Sequence, residues 1–502
     1  MSRLLIEGCD VVATMDDAGT EVAGGSILIE DGVVAWMGAG SPPGADGAEG
    51  ADLLVTGAKL IATCDAGRRE LPGGWVAITG GLVSGVGAAA EPAPAAAHTL
   101  DAAGCLVTPG LVNTHHHLYQ TLTRARAQDQ GLFGWLRELY PVWAGVDAEW
   151  ERAAARASLA ELALSGCTTT TDHHYLFPPG RPGILEAEIE AARQLGLRFH
   201  PCRGSMDLGE SRGGLPPDSV VEDTDDALAA TEEAVTRHHD PGPGSMLRIA
   251  VAPCSPFSVT ERLMRESAEL ARRLDVRMHS HIAETLEEEA FCVETFDRRP
   301  LELLDDWGWL GSDVWLAHCV HLDDKDVRRV AETGTGVAWC PTSNLRLGSG
   351  IAPAVALLRE GAAIGLGVDG SASNDAGNLL AELRQALLVS RARGASEGLS
   401  AREVLRVATR GGAACLGRDD LGSLEPGKRA DVALFAVDDL SHAGGNVDPV
   451  AAVVLCGPAR PRHLLVEGRP VVRNGRLATA EEDDIAAEAH RVARRIAVGT
   501  AR

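Results

Sequence analysis

Eight short apolar runs between about residues 105 and 420 constrain the fold of this chain most strongly. They are "CLVTPGLVNTH", "CTTTTDHH", "LRFHPCRG", "LRIAVAPCS", "VRMHSHIAE", "VWLAHCV", "GVAWCPTSN" and "AIGLGVDGS". Most are separated by segments with helical periodicity, such as residues 147–166 and 261–274. Eight β/α units within ~250 to 320 residues are typical of a (β/α)₈ barrel, an α/β fold. The active site of such a barrel lies at the carboxyl ends of its strands, and each run here ends in polar or ionisable residues.

The segments on either side of the barrel have a different pattern. Residues 51–107 and 422–480 contain short β-type runs broken by glycine and other turn residues. We predict that they pair into one small β-sandwich domain, into which the catalytic barrel, residues 108–421, is inserted. Residues 481–502 form a charged segment that we predict to be a C-terminal helix.

The first 50 residues are similar to the segment that follows them. "LLIEGCDVVATMD" from Leu4 matches "LLVTGAKLIATCD" from Leu53, and "GGSILIEDGVVAWMG" from Gly24 matches "GGWVAITGGLVSGVG" from Gly73. Both offsets are 49 residues (53 minus 4 and 73 minus 24), which indicates a duplicated β unit. We hypothesise that one copy builds the sandwich and that the other adds a further layer or a contact within a homo-oligomer.

Composition limits the class of partner. The formal net charge of −25 would repel phosphate backbones and anionic lipids, so it argues against nucleic-acid and membrane-surface binding. The 11 cysteines include no CxxC pair, which favours reduced thiols in the cytoplasm. No apolar run reaches membrane-spanning length. We therefore expect a cytoplasmic protein that acts on a small molecule.

Three consecutive histidines follow the first strand of the predicted barrel. Residues two apart on a strand share a face, so His115 and His117 point together while His116 points the opposite way. Two neutral imidazoles at one strand end can bind a divalent metal. A pair of histidines is also common as an ordinary hydrogen-bonded feature of a core, so further ligands are needed.

Candidate ligands end three later strands. His279, His281 and Glu284 lie in "MHSHIAET", His318 and His321 lie in "LAHCVHL", and Asp369 follows the apolar run in "GLGVDGSASND". The carboxyl ends of barrel strands meet at one face, so these groups are expected to lie near His115 and His117. Sequence spacing alone does not choose among them.

These segments resemble the amidohydrolase superfamily, in particular its cytosine-, guanine- and adenosine-type deaminase branch. "PGLVNTHHH", "HSHIAET", "AHCVHL", "CPTSNLRLGSG" and "GLGVDGSASND" carry the resemblance, which spans roughly residues 51 to 480. More closely, "HHHLYQTLTRA", "CRGSMDLGES" and "APCSPFSVT" are similar to segments of bacterial 8-oxoguanine deaminases.

The resemblance implies a ligand set and a mechanism of deamination. Its ligands are His115, His117, His281 and Asp369, with Asp369 also accepting a proton from the attacking water. By the same resemblance Glu284 shuttles protons and His318 polarises that water. His116, His279 and His321 match no functional position. The expected reaction replaces an amino group on an amidine-like ring carbon by a carbonyl and releases ammonia.

Lysine usage bears on the number of metal ions. Binuclear relatives bridge two metals with a carboxylated lysine from a barrel strand, whereas this chain has lysine only at positions 59, 325 and 428. We therefore predict one divalent metal at the site. Zinc is favoured, and iron(II) accepts the same imidazole and carboxylate ligands.

Substrate binding is predicted at Gln120, Arg203 and Glu284, the last of which would lie over the ring that it protonates. Gln120 and Arg203 match positions that hold the carbonyl and nitrogen edge of the ring in oxopurine deaminases. An amide and a guanidinium suit a flat heterocycle. Trp339 replaces a histidine that is usual in relatives, which predicts an aromatic wall near the pocket.

The most favoured substrate is 8-oxoguanine, which would yield urate. A pterin, another oxopurine or a triazine substrate stays open, the last with an amino- or chlorohydrolase activity. A ring-opening hydrolase and a non-catalytic binding protein are weaker alternatives. A binding protein would be expected to have lost at least one ligand or the acid.

Overall fold

The computed structural model describes residues 3–13, 21–30, 33–39, 50–394, 397–457 and 459–499. The elements in the described residues before the barrel are strands: β1 (Arg3–Ala13), β2 (Glu21–Glu30), β3 (Val33–Ala39), β4 (Ala51–Thr56), β5 (Leu60–Ala62), β6 (Glu70–Pro72), β7 (Trp75–Thr79), β8 (Leu82–Gly87), β9 (Ala96–Asp101) and β10 (Cys105–Pro109). The antiparallel pairs β1–β2 and β2–β3 correspond to β4–β7 and β7–β8 at the repeat offset. Both copies of the duplicated unit therefore share one strand arrangement, and the role of the first copy stays a prediction.

The predicted (β/α)₈ barrel is confirmed. Its strands close in chain order: β11 (Leu111–Asn113), β12 (Cys167–His174), β13 (Arg198–Ser205), β14 (Ala250–Pro253), β15 (Met278–Ile282), β16 (Val314–His318), β17 (Gly336–Trp339) and β18 (Ile364–Leu366). Neighbouring strands are parallel, and β11 meets β18 where Asn113 pairs with Leu366. Each of the eight apolar runs contributes one barrel strand, and the first also contains β10. Their carboxyl ends therefore form a single face.

Helices cover the outside of the barrel and the carboxyl end of the chain. They are α1 (Leu132–Trp143), α2 (Ala148–Ala163), α3 (Ile184–Leu195), α4 (Thr224–His238), α5 (Glu261–Arg273), α6 (Leu286–Phe296), α7 (Pro300–Asp306), α8 (Asp324–Thr333), α9 (Pro341–Arg346), α10 (Ala354–Arg359), α11 (Leu379–Gly394), α12 (Ala401–Arg406), α13 (Gly412–Cys415), α14 (Pro449–Leu455) and α15 (Glu482–Gly499). In α5, Thr260 caps the first turn by accepting from the Leu263 amide, and the stripe with Leu263, Met264 and Ala271 is buried. Among the described residues, no helix combines the length and apolarity that a membrane span requires.

The strands after the barrel return to the strands before it. They are β19 (Val432–Ala436), β20 (Pro461–Val466), β21 (Arg469–Arg473) and β22 (Arg476–Leu477). The seven-stranded sheet has the order β22-β21-β20-β19-β10-β5-β6, and the four-stranded sheet has the order β8-β7-β4-β9. One apolar cluster joins the two sheets, with Val55 and Ile78 from one and Val107 and Val432 from the other. Segments from both sides of the barrel thus form the extra β layers, and the predicted domain boundaries stay a prediction.

Candidate metal centre and cavity

Imidazole and carboxylate groups from three separate barrel segments meet at the carboxyl face. One donor atom from each of His115, His117 and His281 lies within 4.8 Å of the others. The Nε2 atoms of His117 and His281 are 3.1 Å apart. Asp369 Oδ1 lies 3.3 Å from His115 Nε2 and 3.4 Å from His117 Nε2. The four predicted ligands therefore form one compact cluster, which we call the cavity cluster.

Backbone carbonyls fix the tautomers of two of these histidines. His117 Nδ1 lies 2.8 Å from the His173 carbonyl oxygen, and His281 Nδ1 lies 2.7 Å from the Cys254 carbonyl oxygen. A carbonyl can only accept, so each Nδ1 carries the proton and each Nε2 has a free lone pair. Burial, together with the neighbouring His115, lowers the pKa of His117 to about 3, so its ring is neutral.

A fourth histidine fixes the tautomer of His115. His279 Nδ1 lies 2.8 Å from the Trp315 carbonyl oxygen and so donates its proton there. His279 Nε2 must then accept from His115 Nδ1, at 2.8 Å. His115 Nε2 is left buried and without a hydrogen-bond partner among the described residues. His279 therefore orients the His115 ring from the side opposite the free Nε2 atom. The sequence comparison likewise placed His279 at no ligand position.

Asp369 is positioned by its own loop. Its carboxylate accepts from Ser343 Oγ at 2.5 Å, Ser373 Oγ at 3.1 Å and the Gly370 amide at 2.7 Å. Its φ of +61° lies in the left-handed region, as does that of His318 at +72°. Non-glycine residues in this conformation are strained and concentrate at functional sites. Local hydrogen bonds thus hold Asp369 against the histidines.

The donor set fits a divalent cation. Three imidazole lone pairs and one carboxylate converge, and the 3.1 Å contact joins two nitrogen atoms that both lack a proton. Two such acceptors repel each other unless an electrophile lies between them. Three imidazoles and a carboxylate suit zinc or iron(II). The chain's three lysines, Lys59, Lys325 and Lys428, all lie outside the barrel strands, so none bridges a second metal at this cluster.

Glu284 and His318 lie beside the cavity cluster. Glu284 Oε2 is 3.5 Å from His318 Nε2, and Glu284 Oε1 accepts from Ser349 Oγ at 3.3 Å. Burial and the charges of Asp369 and Glu288 raise the pKa of Glu284 well above its usual range, which favours its protonated form. His318 Nδ1 faces the Asn344 amide nitrogen at 3.0 Å and therefore accepts, which leaves a proton on Nε2. Glu284 and His318 are therefore the two candidate proton donors at the cavity.

The cluster opens into a cavity with an empty volume of about 440 Å³. Its lining combines polar groups with an aromatic and aliphatic wall: His117, Gln120, Trp135, Tyr140, Tyr175, Phe257, Glu284, His318 and Asp369. Gln120 is 1% exposed, and its Oε1 has no hydrogen-bond partner among the described residues. A β-carbon on Gly370 would lie 1.9 Å from that oxygen, so only glycine leaves space for the amide. Gln120 therefore offers an unused acceptor at the cavity.

Arg203 lies apart from the cavity lining. Its guanidinium forms a bidentate ion pair with Glu222, at 3.0 and 2.6 Å, and stacks over Phe177 with its centre 3.7 Å from the ring centroid. The Glu222 carboxylate matches the charge of the guanidinium, whereas the Oε1 atom of Gln120 has no hydrogen-bond partner among the described residues. Its predicted contact with a substrate would require the Glu222 pair to open, and that role stays a prediction.

Trp339 does not form the predicted aromatic wall. It shares the outward face of β17 with Val337, and both belong to the core between the barrel and its helices. The period-two alternation of a strand places its side chain away from the barrel axis. The aromatic wall is instead provided by Trp135, Tyr175 and Phe257.

Sequence reasoning missed one histidine at the site. The His173 ring stacks on His281 with centroids 4.6 Å apart, and its Nε2 donates to the Ala252 carbonyl at 2.9 Å. Its carbonyl also orients His117. The sequence signal that could have identified His173 was its position near the end of "CTTTTDHH", a strand end like those that carry the predicted ligands.

Two other histidines near the site make local structural contacts. His116 accepts from the His117 amide, and the His321 side chain bonds to the Ser349 carbonyl.

Known proteins are similar to this chain in sequence. The profile of the amidohydrolase family matches residues 106–471. The 8-oxoguanine deaminase of Pseudomonas aeruginosa is 51% identical over 378 residues, which cover 75% of this chain and 84% of the relative. An isoxanthopterin deaminase from an unknown prokaryotic organism is 37% identical over 426 residues, covering 80% of this chain and 88% of the relative.

A solved structure of a hydrolase has a similar fold. The crystal structure of an atrazine chlorohydrolase from Arthrobacter aurescens complexed with zinc superposes with a TM-score of 0.84 and 35% identity. The match covers 88% of this chain and 100% of that chain. By sequence and by fold, the chain therefore belongs to the amidohydrolase family, whose members are metal-dependent hydrolases.

Proposed function

We propose that this protein is a metal-dependent deaminase of a planar amino-substituted heterocycle, with 8-oxoguanine as its substrate and urate and ammonia as its products. The observation that carries the proposal is the joint position of Glu284, His318 and Asp369 around one cavity beside three converging imidazoles. The 51% identity to a named 8-oxoguanine deaminase supports the choice of ring.

The cavity cluster would hold the metal through His115, His117, His281 and Asp369. Zinc bound by such a set lowers the pKa of water towards ~7 and so supplies a nucleophile at neutral pH. Asp369 has a carboxylate oxygen within 3.4 Å of two of the ligand nitrogens, so it can accept the proton that the attacking water loses. Zinc as the native metal stays a prediction.

Glu284 and His318 provide the remaining proton chemistry. Glu284, whose raised pKa favours the protonated form, can donate to the ring nitrogen as water adds to the amidine carbon. The proton that Asp369 takes from the water can then go to the departing amino group, and the hydroxyl proton of the intermediate can return to Glu284 as the carbonyl forms. The Nε2 proton of His318 can donate to the oxygen that adds to the ring. The carbon–nitrogen bond breaks, ammonia leaves, and a carbonyl remains on the ring.

The cavity wall suits a flat ring. Trp135, Tyr175 and Phe257 provide aromatic surface, and Gln120 adds an amide whose acceptor oxygen is free. A purine carbonyl and its adjacent N–H require one donor and one acceptor, which a single amide can supply. An aromatic wall with few polar groups is typical of sites for small heterocycles.

Pterins and triazines are the alternative substrates, since an isoxanthopterin deaminase and a triazine hydrolase are among the similar proteins.

A cytoplasmic location and assembly into a homo-oligomer also stay predictions from the sequence.

The test is to load the purified protein with zinc and measure ammonia release from 8-oxoguanine, guanine, isoxanthopterin, cytosine and a hydroxy-triazine. We expect the highest kcat/KM with 8-oxoguanine. A higher value with isoxanthopterin or the triazine would replace the proposed substrate, and no ammonia from any of the five would reject the deaminase proposal.

A further inference from the structure

A second group of metal-binding side chains lies behind strand β12, outside the cavity. It comprises Glu151 from α2, Asp172 and His174 from β12, and Glu188 from α3, and we call it the closed cluster. One donor atom from each lies within 4.8 Å of the others. All four residues are 0% exposed. The alternation of β12 explains the placement, because His173 points to the cavity while its two neighbours point to the helices.

The donor atoms of the closed cluster lack hydrogen-bond partners. Among the described residues, neither carboxylate oxygen of Glu151 or of Glu188 is bonded, and Asp172 Oδ2 and His174 Nδ1 are also without partners. His174 Nε2 donates to the Leu176 carbonyl at 2.8 Å, so the lone pair is on Nδ1, which faces Glu151 Oε2 at 3.5 Å. Six buried acceptor atoms are thus unsatisfied in one place.

The charge of the closed cluster is also unmatched. In the described part of the chain, no lysine or arginine forms an ion pair with Glu151, Asp172 or Glu188. Glu151 faces the His174 imidazole, with Oε2 3.5 Å from Nδ1. Three buried carboxylates without a counter-ion are strongly unfavourable. Protons relieve part of this, since Asp172 and Glu188 are close enough to share one. A proton, however, joins only two acceptors, whereas one cation can bind a donor from all four residues.

We propose that the closed cluster binds a second divalent cation, separate from the catalytic metal and structural in role. Ligand atoms at about 2.1 Å from one cation are at most about 4.2 Å apart, and the four donor atoms here lie within 4.8 Å of one another. Three carboxylates favour a hard cation, and one imidazole favours a transition metal, so manganese(II), iron(II) or zinc fits best. Its two positive charges offset two of the three carboxylates.

The closed cluster is connected to the cavity cluster through the backbone. Asp172 Oδ1, the one carboxylate oxygen of Asp172 that is bonded, accepts from the Leu118 amide at 2.7 Å. Leu118 directly follows His117, whose ring faces the cavity. A cation that fixes Asp172 therefore also fixes the backbone that carries His117. The proposal itself depends only on the closed cluster and not on the reaction.

The experiment counts metal ions per chain. Full-length protein is stripped with a chelator and dialysed against manganese(II) or, separately, zinc, and the bound metal is measured by mass spectrometry. We expect two ions per chain for the natural protein. Glu151→Gln and Glu188→Gln should each bind one, and so should His281→Ala, which alters the other cluster. Glu382→Gln is the matched control, because Glu382 is also buried but its oxygens are bonded to Asn374 and the Thr342 amide, and it should keep two.

One ion per chain in the natural protein, or two in both glutamine variants, would overturn the proposal and leave a proton-sharing cluster. If the glutamine variants do not fold, crystals of the natural protein soaked in manganese(II) provide the answer. An anomalous peak among Asp172, His174, Glu151 and Glu188 supports the site, and its absence at full soaking rejects it. Loss of ammonia release with the manganese peak intact would count against the proposed function alone.

Discussion

The cavity cluster and the closed cluster use similar donors in different surroundings. In both, histidine tautomers are fixed by backbone carbonyls so that a lone pair points at neighbouring acceptors. The cavity cluster borders an open volume of about 440 Å³, whereas every residue of the closed cluster is fully buried. Catalytic zinc sites keep a position free for water, and structural sites are closed. Access, more than donor chemistry, therefore separates the two roles.

The two clusters also differ in charge. The cavity cluster has three neutral imidazoles and one carboxylate, while the closed cluster has one imidazole and three carboxylates. An empty cavity cluster leaves little buried charge, but an empty closed cluster leaves carboxylates that must take up protons. We therefore expect changes in the cavity cluster to remove its metal ion together with activity, and changes in the closed cluster to remove its metal ion and to affect stability.

The largest effect is expected from His117→Ala. Loss of one imidazole from the cavity cluster should reduce metal occupancy there and abolish ammonia release, while the melting temperature changes little. The matched control is His321→Ala, since the His321 side chain bonds to the Ser349 carbonyl outside the cluster and its loss should leave measurable activity. Full activity in His117→Ala would remove His117 from the site.

Glu284→Gln should reduce kcat by about 10²- to 10⁴-fold, the usual contribution of a general acid or base. The amide has the size of the carboxyl group but cannot transfer a proton, and Glu284 is not among the metal donors, so bound metal should stay at the natural level. Steady-state kinetics together with metal analysis check this. An unchanged kcat would exclude Glu284 as the proton shuttle.

His279→Ala should weaken metal binding at the cavity cluster by about 10- to 100-fold, the usual cost of losing a partner that orients a metal ligand. The reason is that His279 fixes the tautomer of His115. Competition with a chelator of known affinity measures the change. Unaltered affinity would show that His115 needs no such support.

Gln120→Ala is expected to have the smallest effect. Loss of one neutral hydrogen bond costs about 0.5–1.5 kcal/mol, so kcat/KM for 8-oxoguanine should fall by up to about tenfold. The metal content should stay constant, because Gln120 is not one of the four predicted metal ligands and its amide donates to Tyr119 Oη. Higher activity, or an equal fall of kcat/KM with every substrate tested, would argue against a hydrogen bond between Gln120 and the carbonyl and N–H edge of the 8-oxoguanine ring.

The barrel and the cavity cluster could be predicted because strand periodicity and strand ends are local properties of the sequence. His115 and His117 share a face by alternation, and the resemblance to deaminases supplied His281 and Asp369 from distant strands. The same alternation rule, applied to "GVAW", would have placed Trp339 on the outer face together with Val337. The expectation of an aromatic wall there was wrong because it followed the relatives rather than the strand.

The closed cluster and the ion pair of Arg203 could not be predicted from the sequence. They depend on how helices pack against β12 and on side-chain pairing with Glu222. One signal was present for the closed cluster. Glu151 lies on the helical stripe that also carries Ala155 and Leu159, all 0% exposed, and a glutamate on such a stripe is an unusual buried charge. Sequence alone does not show which partners it meets.

The most direct test of the central claim is to titrate chelator-stripped protein with zinc while following ammonia release from 8-oxoguanine. The account predicts that stripped protein is inactive, that activity rises in proportion to zinc bound at the cavity cluster, and that His281→Ala stays inactive at every zinc concentration. Full ammonia release by the metal-free protein would contradict the account. Full ammonia release by His281→Ala, whether or not zinc is added, would contradict it too.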